Sequence, residues 1–297
     1  MTGLPESPLS EVIEPGAAIE TIVTGLDITE GTVWHPREQF LVFSDLTEGR
    51  IYRWSESAGA MVLRAPSNIA NGNTLDRQGR VISCEHATSC VSRIESDGRW
   101  IRVLASHYDG KPFNSPNDVI VDSHDRIWFT DPDYGRTSAR VGIARPLEMG
   151  FMGVFRIDPD GTVALVADDF AQPNGLCLTP DEQTLLVNDT THGHIRRFAI
   201  GADGATSGGE VMAVVSGEGV GKPDGMKVDV QGRIYVTGPG GVHVLSPAGK
   251  ALGVIRTPTM TRNFCFGGAD GRTLFLAMQG AIGRVRMRVA GVLPPLA

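Results

Sequence analysis

The sequence predicts an all-β fold: a six-bladed β-propeller of four-stranded blades, closed by an N-terminal strand. Three observations predict it. One motif recurs six times, each copy is followed by further short β-rich runs, and the two chain ends supply complementary fragments of one blade.

Each copy opens with a short polar start, continues into an apolar run, turns, and resumes as a β-rich run. The copies begin at Glu30-Gly31 (EGTVWHPREQFLVFSD), Gly72-Asn73 (GNTLDRQGRVISCEH), Asn117-Asp118 (NDVIVDSHDRIWFTD), Asn174-Gly175 (NGLCLTPDEQTLLVND), Asp224-Gly225 (DGMKVDVQGRIYVTG) and Asn263-Phe264 (NFCFGGADGRTLFLA). A third strand follows, as in GRIYRW, GVFRID or GHIRRF, and usually a fourth, as in MVLRA, TVALVAD or VMAVVSG. Four short strands per unit of about 40 to 50 residues is the spacing of propeller blades. The turns RQGR, SHDR, PDEQ, VQGR and ADGR carry Gly and Asp where hairpins want them. No segment carries convincing helical periodicity.

The sixth copy has a third strand near IGRVRMR, but its tail VAGVLPPLA makes a poor fourth, whereas IETIVTG near the N-terminus reads as an outer strand without a blade. Ile19–Gly25 is therefore expected to close the last blade and hide its edge. Residues 1–17 are read as an N-terminal extension and 18–297 as one propeller domain. Two packed β-sandwiches, the alternative all-β arrangement, do not predict this complementarity of the termini.

The chain has 297 residues, 41% hydrophobic and 21% charged, an ordinary globular composition. A net charge of −7 with no basic cluster opposes binding to nucleic acid or to an anionic membrane. No basic leader with an apolar core opens the sequence, and no run approaches the roughly 18 apolar residues of a membrane span, so a cytoplasmic location is expected. Cys84, Cys90, Cys177 and Cys265 include no C-x-x-C pair and read as reduced, buried small residues. Oligomeric state is left open.

In a propeller, the starts of the first strands and the ends of the second strands converge on one face. The first set is Glu30, Asn73, Asn117, Asn174, Asp224 and Asn263. The second is Asp45, Glu85 with His86, Asp131 with Asp133 and Tyr134, Asp189 with Thr191 and His192, and Gln279. Taken singly, each is an ordinary strand-entry residue; six at equivalent positions of a repeat carry the functional reading. Carboxylate and amide oxygens without sulfur form a hard donor set, favouring Ca2+, Mg2+ or Mn2+ over structural zinc. One divalent cation is expected, Ca2+ first because it takes six to eight oxygens and leaves room for water and a substrate carbonyl; Mg2+, Mn2+ and Zn2+ are the other candidates.

The segments EGTVW, SPNDV, WFTDPDYG, QPNGL, TPDEQTLLV, KPDGM and NFCFGG resemble the senescence-marker-protein (regucalcin), gluconolactonase and LRE family, over about residues 18 to 288 and in the same order. NSPNDVIV, WFTDPDYG and CEH lie nearest to bacterial gluconolactonases. The resemblance implies metal ligands at Glu30, Asn117, Asn174 and Asp224, with Asn117 in some members a substrate contact instead. An Arg that animal members place two residues before that Asn is Ser115 here, so its substrate contact does not carry over.

The implied reaction is hydrolysis of a small-molecule sugar lactone by activated water. Asp224, placed beside the metal by the resemblance, is the first candidate base, and His86 the second, as base or oxyanion donor, although a lone His is more often a structural hydrogen-bonder. Asp131, Asp133 and Tyr134 are read as binding sugar hydroxyls, the alternative being that DPDYG is only a tight turn. Serine-hydrolase and P-loop chemistry are excluded because no G-x-S-x-G elbow or P-loop Lys occurs. Two rival functions remain: organophosphate hydrolysis of the diisopropyl fluorophosphatase type, and a non-catalytic metal-binding propeller. Residues 136–148 lengthen one second-to-third-strand loop and are expected to form a lid, with Arg136, Arg140 and Arg145 as candidate specificity elements, the alternative being a simple solvated loop.

Overall fold

A computed structural model describes residues 8–297. Six four-stranded antiparallel sheets follow one another along the chain, each in the strand order inner to outer. Blade one comprises Thr29–His35, Phe40–Asp45, Arg50–Ser55 and Gly59–Arg64. The inner strands of blades two to six are Ala70–Leu75, Val119–Val121, Pro173–Leu178, Met226–Val228 and Thr261–Gly267. The sixth sheet takes its outer strand from the N-terminus: Glu20–Thr24 pairs antiparallel with Ala281–Arg286, as the chain ends predict.

Burial follows from this order. Inner strands are covered on both faces and are buried along their whole length in blades one and two, whereas the outer strands Gly59–Arg64 and Ile101–Ala105 are largely exposed. The core consequently lies between blades. Trp34, Phe43 and Trp54 of blade one pack on Phe275 and Ile282 of blade six, with Trp34 and Phe275 stacked at 5.1 Å. Ile82, Cys84 and Val91 of blade two pack on Phe113, Phe129 and Phe155 next door. All four cysteines are buried and free.

The hairpin motif D-x-x-[GD]-R has one construction wherever it occurs. Asp76, Asp122 and Asp229 each accept two backbone N–H groups of their own turn and pair with the Arg four residues on. The carboxylate thereby shapes the turn and the Arg covers it.

Both chain ends do more than the extension and poor strand read from the sequence. Among the described residues of the extension, Val12 and Ile13 are buried against Tyr235, Phe264 and Phe266, and Arg288 pairs with Glu14; residues 1–7 lie outside the described part. The tail crosses one mouth of the channel. Val292 to Pro295 meet residues of all six inner strands around a cavity of about 140 Å³, and the Ala297 amide donates to the Arg77 carbonyl. That leaves the opposite mouth open. Among the described residues no helix is long and apolar enough to cross a membrane.

Candidate functional site

The open mouth is a cavity of about 530 Å³, within the size range of small-molecule sites. One residue from each inner-strand start lines it: Glu30, Asn71, Asn117, Asn174, Asp224 and Arg262. This ring corrects the expected repeat alignment at two blades. In blade two the axial residue is Asn71; Asn73 lies deeper, where its amide donates to the Gly31 carbonyl and Ser44 and its oxygen accepts from Ser83. In blade six it is Arg262, while Asn263 supports Glu30 by a side-chain hydrogen bond. The legible signal was the dipeptide Asn71-Gly72, which repeats Asn174-Gly175.

Geometry explains the glycine. A Cβ on Gly31 would meet the Asn71 carbonyl at 2.1 Å, one on Gly72 the Asn117 carbonyl at 2.5 Å, and one on Gly175 the Asp224 carbonyl at 2.0 Å. In these three blades the second position touches the backbone of the next, so only a missing side chain lets them close around the axis. A register shift follows in the blade-one, -two and -four strands, turning the preceding side chain toward the cavity.

The ring is hydrogen-bonded around most of its circumference. Asn71 Nδ2 donates to Asn117 Oδ1, Asn117 Nδ2 to Asn174 Oδ1 at 2.6 Å, and Asn174 Nδ2 to Thr190 Oγ1 at 2.9 Å, with a further bond from Asn174 to Asp224. His86 is buried beside it, Nδ1 at 2.7 Å from the Val141 carbonyl and Nε2 at 3.2 Å from Asn71 Nδ2. That pairing assigns the proton to Nδ1 and leaves Nε2 the acceptor. Burial holds the imidazole below its ordinary pKa, favouring the neutral ring.

Glu30 and Asp224 face each other's charge. Burial raises the Glu30 carboxyl to about 7, against the opposing effects of the Asn263 hydrogen bond and Arg262. Asp224 is raised well above the usual range, by burial and then by Glu30. Two carboxylates crowded in a low-dielectric wall beside two amide oxygens, with no sulfur, are the donor set of a hard divalent cation. Glu30, Asn117, Asn174 and Asp224 therefore fit such an ion.

The second-strand ends turn out mainly structural. Asp45 Oδ2 accepts the Asp27 N–H, Asp131 Oδ2 the Asn114 N–H, and Asp189 Oδ2 the Ala171 N–H; all three acids are fully buried and tie down the loop entering their own blade. Glu85 pairs with Arg64 at 2.7 Å. The structure thus does not bring Asp131 to the cavity, nor Asp133, which accepts from Gln172. Tyr134 does line it, its pKa raised by burial. Ser115 is occupied structurally, its hydroxyl donating to the Pro132 carbonyl and accepting from Gly135.

Val141, in the loop after the single helical turn Tyr134–Thr137, reaches the cavity. The arginines around it act differently from expectation. Arg136 is buried and donates to the carbonyls of Phe113, Asn114 and Pro146, Arg145 donates to Ser89, and Arg140 alone spans to blade one, pairing with Asp27 at 3.0 Å. Among the described residues one Asp/His group of metal-binding spacing occurs, Asp189 with His192 and His194, outside the cavity lining; the Asp189 carboxylate there already accepts several backbone N–H groups.

A propeller with oxygen donors converging at one open channel mouth forms a small-molecule cavity lined by hard donors. The family model described as SMP-30/Gluconolactonase/LRE-like region matches residues 28–279, and the chain belongs to this family. A gluconolactonase from Zymomonas mobilis is 30% identical over 304 residues, spanning 95% of this chain and 85% of its own length. Pentonolactonase XacC from Haloferax volcanii is 28% identical, spanning 88% and 84%. The solved structure of a gluconolactonase from Xanthomonas campestris is 34% identical and covers 94% of this chain and 92% of its own, with a TM-score of 0.88. Regucalcin from Agrobacterium tumefaciens, a calcium-binding protein, is similar in fold alone, at 18% identity and a TM-score of 0.79.

Proposed function

We propose that this protein is a lactonase that opens a sugar lactone by attack of water on the ring carbonyl, with one divalent cation held by Glu30, Asn117, Asn174 and Asp224. The observation that carries the reading is the convergence of these four oxygen donors, one from each of four blades, on a single open cavity of about 530 Å³. The gluconolactonase and pentonolactonase relatives support it. A bound divalent cation supplies polarisation of the carbonyl and stabilisation of the oxyanion, and the hard donors favour Ca2+.

The chain's own groups do the rest. The Asp224 carboxylate accepts a proton from the attacking water as the new C–O bond forms. It returns that proton to the ring oxygen as the ester bond breaks, giving the open hydroxy acid. Neutral His86 holds Asn71, which in turn holds Asn117, so that the amide oxygens are placed before substrate enters. Tyr134 and Asn117 face the substrate hydroxyls.

The test is a pH-indicator assay over a panel of neutral aldonolactones and a phosphotriester, with chelator and then Ca2+ added back. Lactone turnover is expected to fall at least 100-fold on chelation and to return with the cation. Full lactonase activity at less than a tenth of an ion per chain, or faster turnover of the phosphotriester than of any lactone, overturns the reading. Asp224→Asn separates the roles. If saturating Ca2+ restores its rate, Asp224 is a ligand only and His86 is the base; if the ion is bound but the rate stays at least 100-fold down, Asp224 is the base.

A further inference from the structure

Arg262 is the one cation in a ring that otherwise holds two carboxylates and three amides. It makes no ion pair within 4.0 Å among the described residues. Its Nη2 donates to Gln279 Oε1 at 2.7 Å, but its Nη1, although buried, donates to nothing. An unsatisfied buried guanidinium nitrogen is costly, and it sits in the wall of a cavity built to receive a ligand.

Its direction is set from behind. Gln279 Nε2 donates to the Asp27 carbonyl and carboxylate, and Asp27 accepts Arg140 from the loop over the mouth. This chain of contacts fixes one side of the fork at Gln279, while the charge of Arg262 acts on both Glu30 and Asp224 without a direct ion pair to either. Lys222 lines the same cavity, is exposed, and has no acidic partner among the described residues.

The charge balance points the same way. Glu30 and Asp224 offset Arg262 and Lys222, so a bound divalent cation leaves the cavity with a surplus of two positive charges inside a protein of net charge −7. Ile28, Leu46, Val141, Val220 and Met260 supply much of the remaining wall and offer no partner to a polyhydroxyl chain. A neutral sugar lactone uses neither the surplus charge nor the unpaired Nη1.

We infer that the substrate is a lactone bearing an acidic substituent, a carboxylate, sulfonate or phosphate on the carbons away from the ester. Arg262 recognises that group and Lys222 assists at the mouth. The inference rests on the lactonase reading and narrows its substrate class. A planar fork with an unpaired donor suits a two-oxygen contact to such a group.

The experiment compares galactono-1,4-lactone with glucaro-1,4-lactone, which carries a carboxylate, and with 6-phosphogluconolactone, all with the Ca2+-loaded protein. At least one acidic lactone is expected to exceed the neutral one at least tenfold in kcat/KM, and which one identifies the group. Raising salt from 0.02 to 0.5 M should raise KM for the acidic lactone several-fold and leave the neutral one nearly unmoved. Arg262→Gln should lower the acidic-to-neutral ratio at least tenfold, and Arg262→Lys should recover part of it. Inhibition by glucarate, read against gluconate, gives a binding measure independent of turnover and is expected to weaken in the same order.

Turnover of the neutral lactone with no preference for either acid overturns the inference and leaves the lactonase reading standing. No turnover of any lactone by the loaded protein overturns both. A ratio unchanged in Arg262→Gln, with Ca2+ affinity altered instead, shows that Arg262 only balances Glu30 and Asp224, and also overturns it. Should Arg262→Gln not fold, the salt response of the unaltered protein and Arg262→Lys decide.

Discussion

Asp131 is the residue whose sequence position misleads most. It ends a second strand on the functional face, beside Asp133 and Tyr134, yet its side chain is enclosed, with Oδ2 accepting the Asn114 N–H at 2.8 Å and Oδ1 meeting no donor. Burial pushes its carboxyl up to about 8 from 3.8. A folded-state pKa above the unfolded value means that the folded form keeps a proton the unfolded form has lost between these limits. Stability is therefore expected to fall as pH rises from about 4 to about 8, at no more than ~1.4 kcal/mol per pH unit from this group. Asp131→Asn cannot ionise, so its urea midpoint should decline less over that window. An identical slope in the two proteins would locate the titration elsewhere. Asp45 and Asp189 do the same tying work in their blades, and nothing in the local sequence distinguishes an acid that binds its own loop from one that meets a ligand. Asn71 was concealed for a related reason: the run Asn71-Gly72-Asn73 offers two registers, and only the packing of Gly72 on the Asn117 carbonyl selects one.

At the scale of elements, the hairpins were readable because their chemistry is local. Asp122 accepts the N–H groups of His124 and Arg126, the Arg126 side chain, and Trp128 Nε1 at 3.0 Å, all within seven residues. Removing the carboxylate leaves Arg126 and Trp128 buried without their acceptor. Asp122→Ala is therefore expected to cost about 3–5 kcal/mol, the range for breaking a buried pair. Urea unfolding checks this; a loss under 1 kcal/mol would show that neighbouring turns hold blade three unaided. The loop of residues 136–148 was legible only as an insertion. Its length marked a special loop, but which of its side chains face the ligand depends on contacts with Phe113, Ser89 and Asp27, far away in sequence, so Val141 rather than the arginines reaches the cavity.

For the whole molecule, closure is the decisive event. Glu20–Thr24 completes blade six, and Arg284 pairs with Glu20 from within that blade and with Glu56 of blade one across the seam. Deleting residues 1–25 exposes the edge of Ala281–Arg286 and removes the burial of Val12, Ile13 and their partly buried neighbours Ile19, Ile22 and Val23. A loss on the order of 5 kcal/mol is expected, from two buried and three partly buried aliphatic side chains at ~1.5–3 kcal/mol for full burial of each. The free edge should also promote self-association. Denaturation and light scattering measure both; a truncated chain as stable and as monodisperse as the full one would show that the ring closes without the strand.

The sequence by itself determined the architecture and named four of the six residues that ring the open mouth. A blade is a local unit with a fixed strand period, so its repetition, its turns and the missing outer strand can all be counted along the chain. Glu30, Asn117, Asn174 and Asp224 were found in that way, as equivalent positions of a repeat matched to family motifs. The tertiary structure decided what depends on six blades meeting at one axis. It placed Asn71 and Arg262 in the ring, withdrew Asp131 and Asp133 from the cavity, and set the tail of residues 292–295 across the opposite mouth. The ring follows from backbone contacts between neighbouring blades, about 40 or more residues apart in the chain, and the withdrawal of Asp131 from the Asn114 N–H of the loop entering its own blade; such contacts leave no local pattern to read.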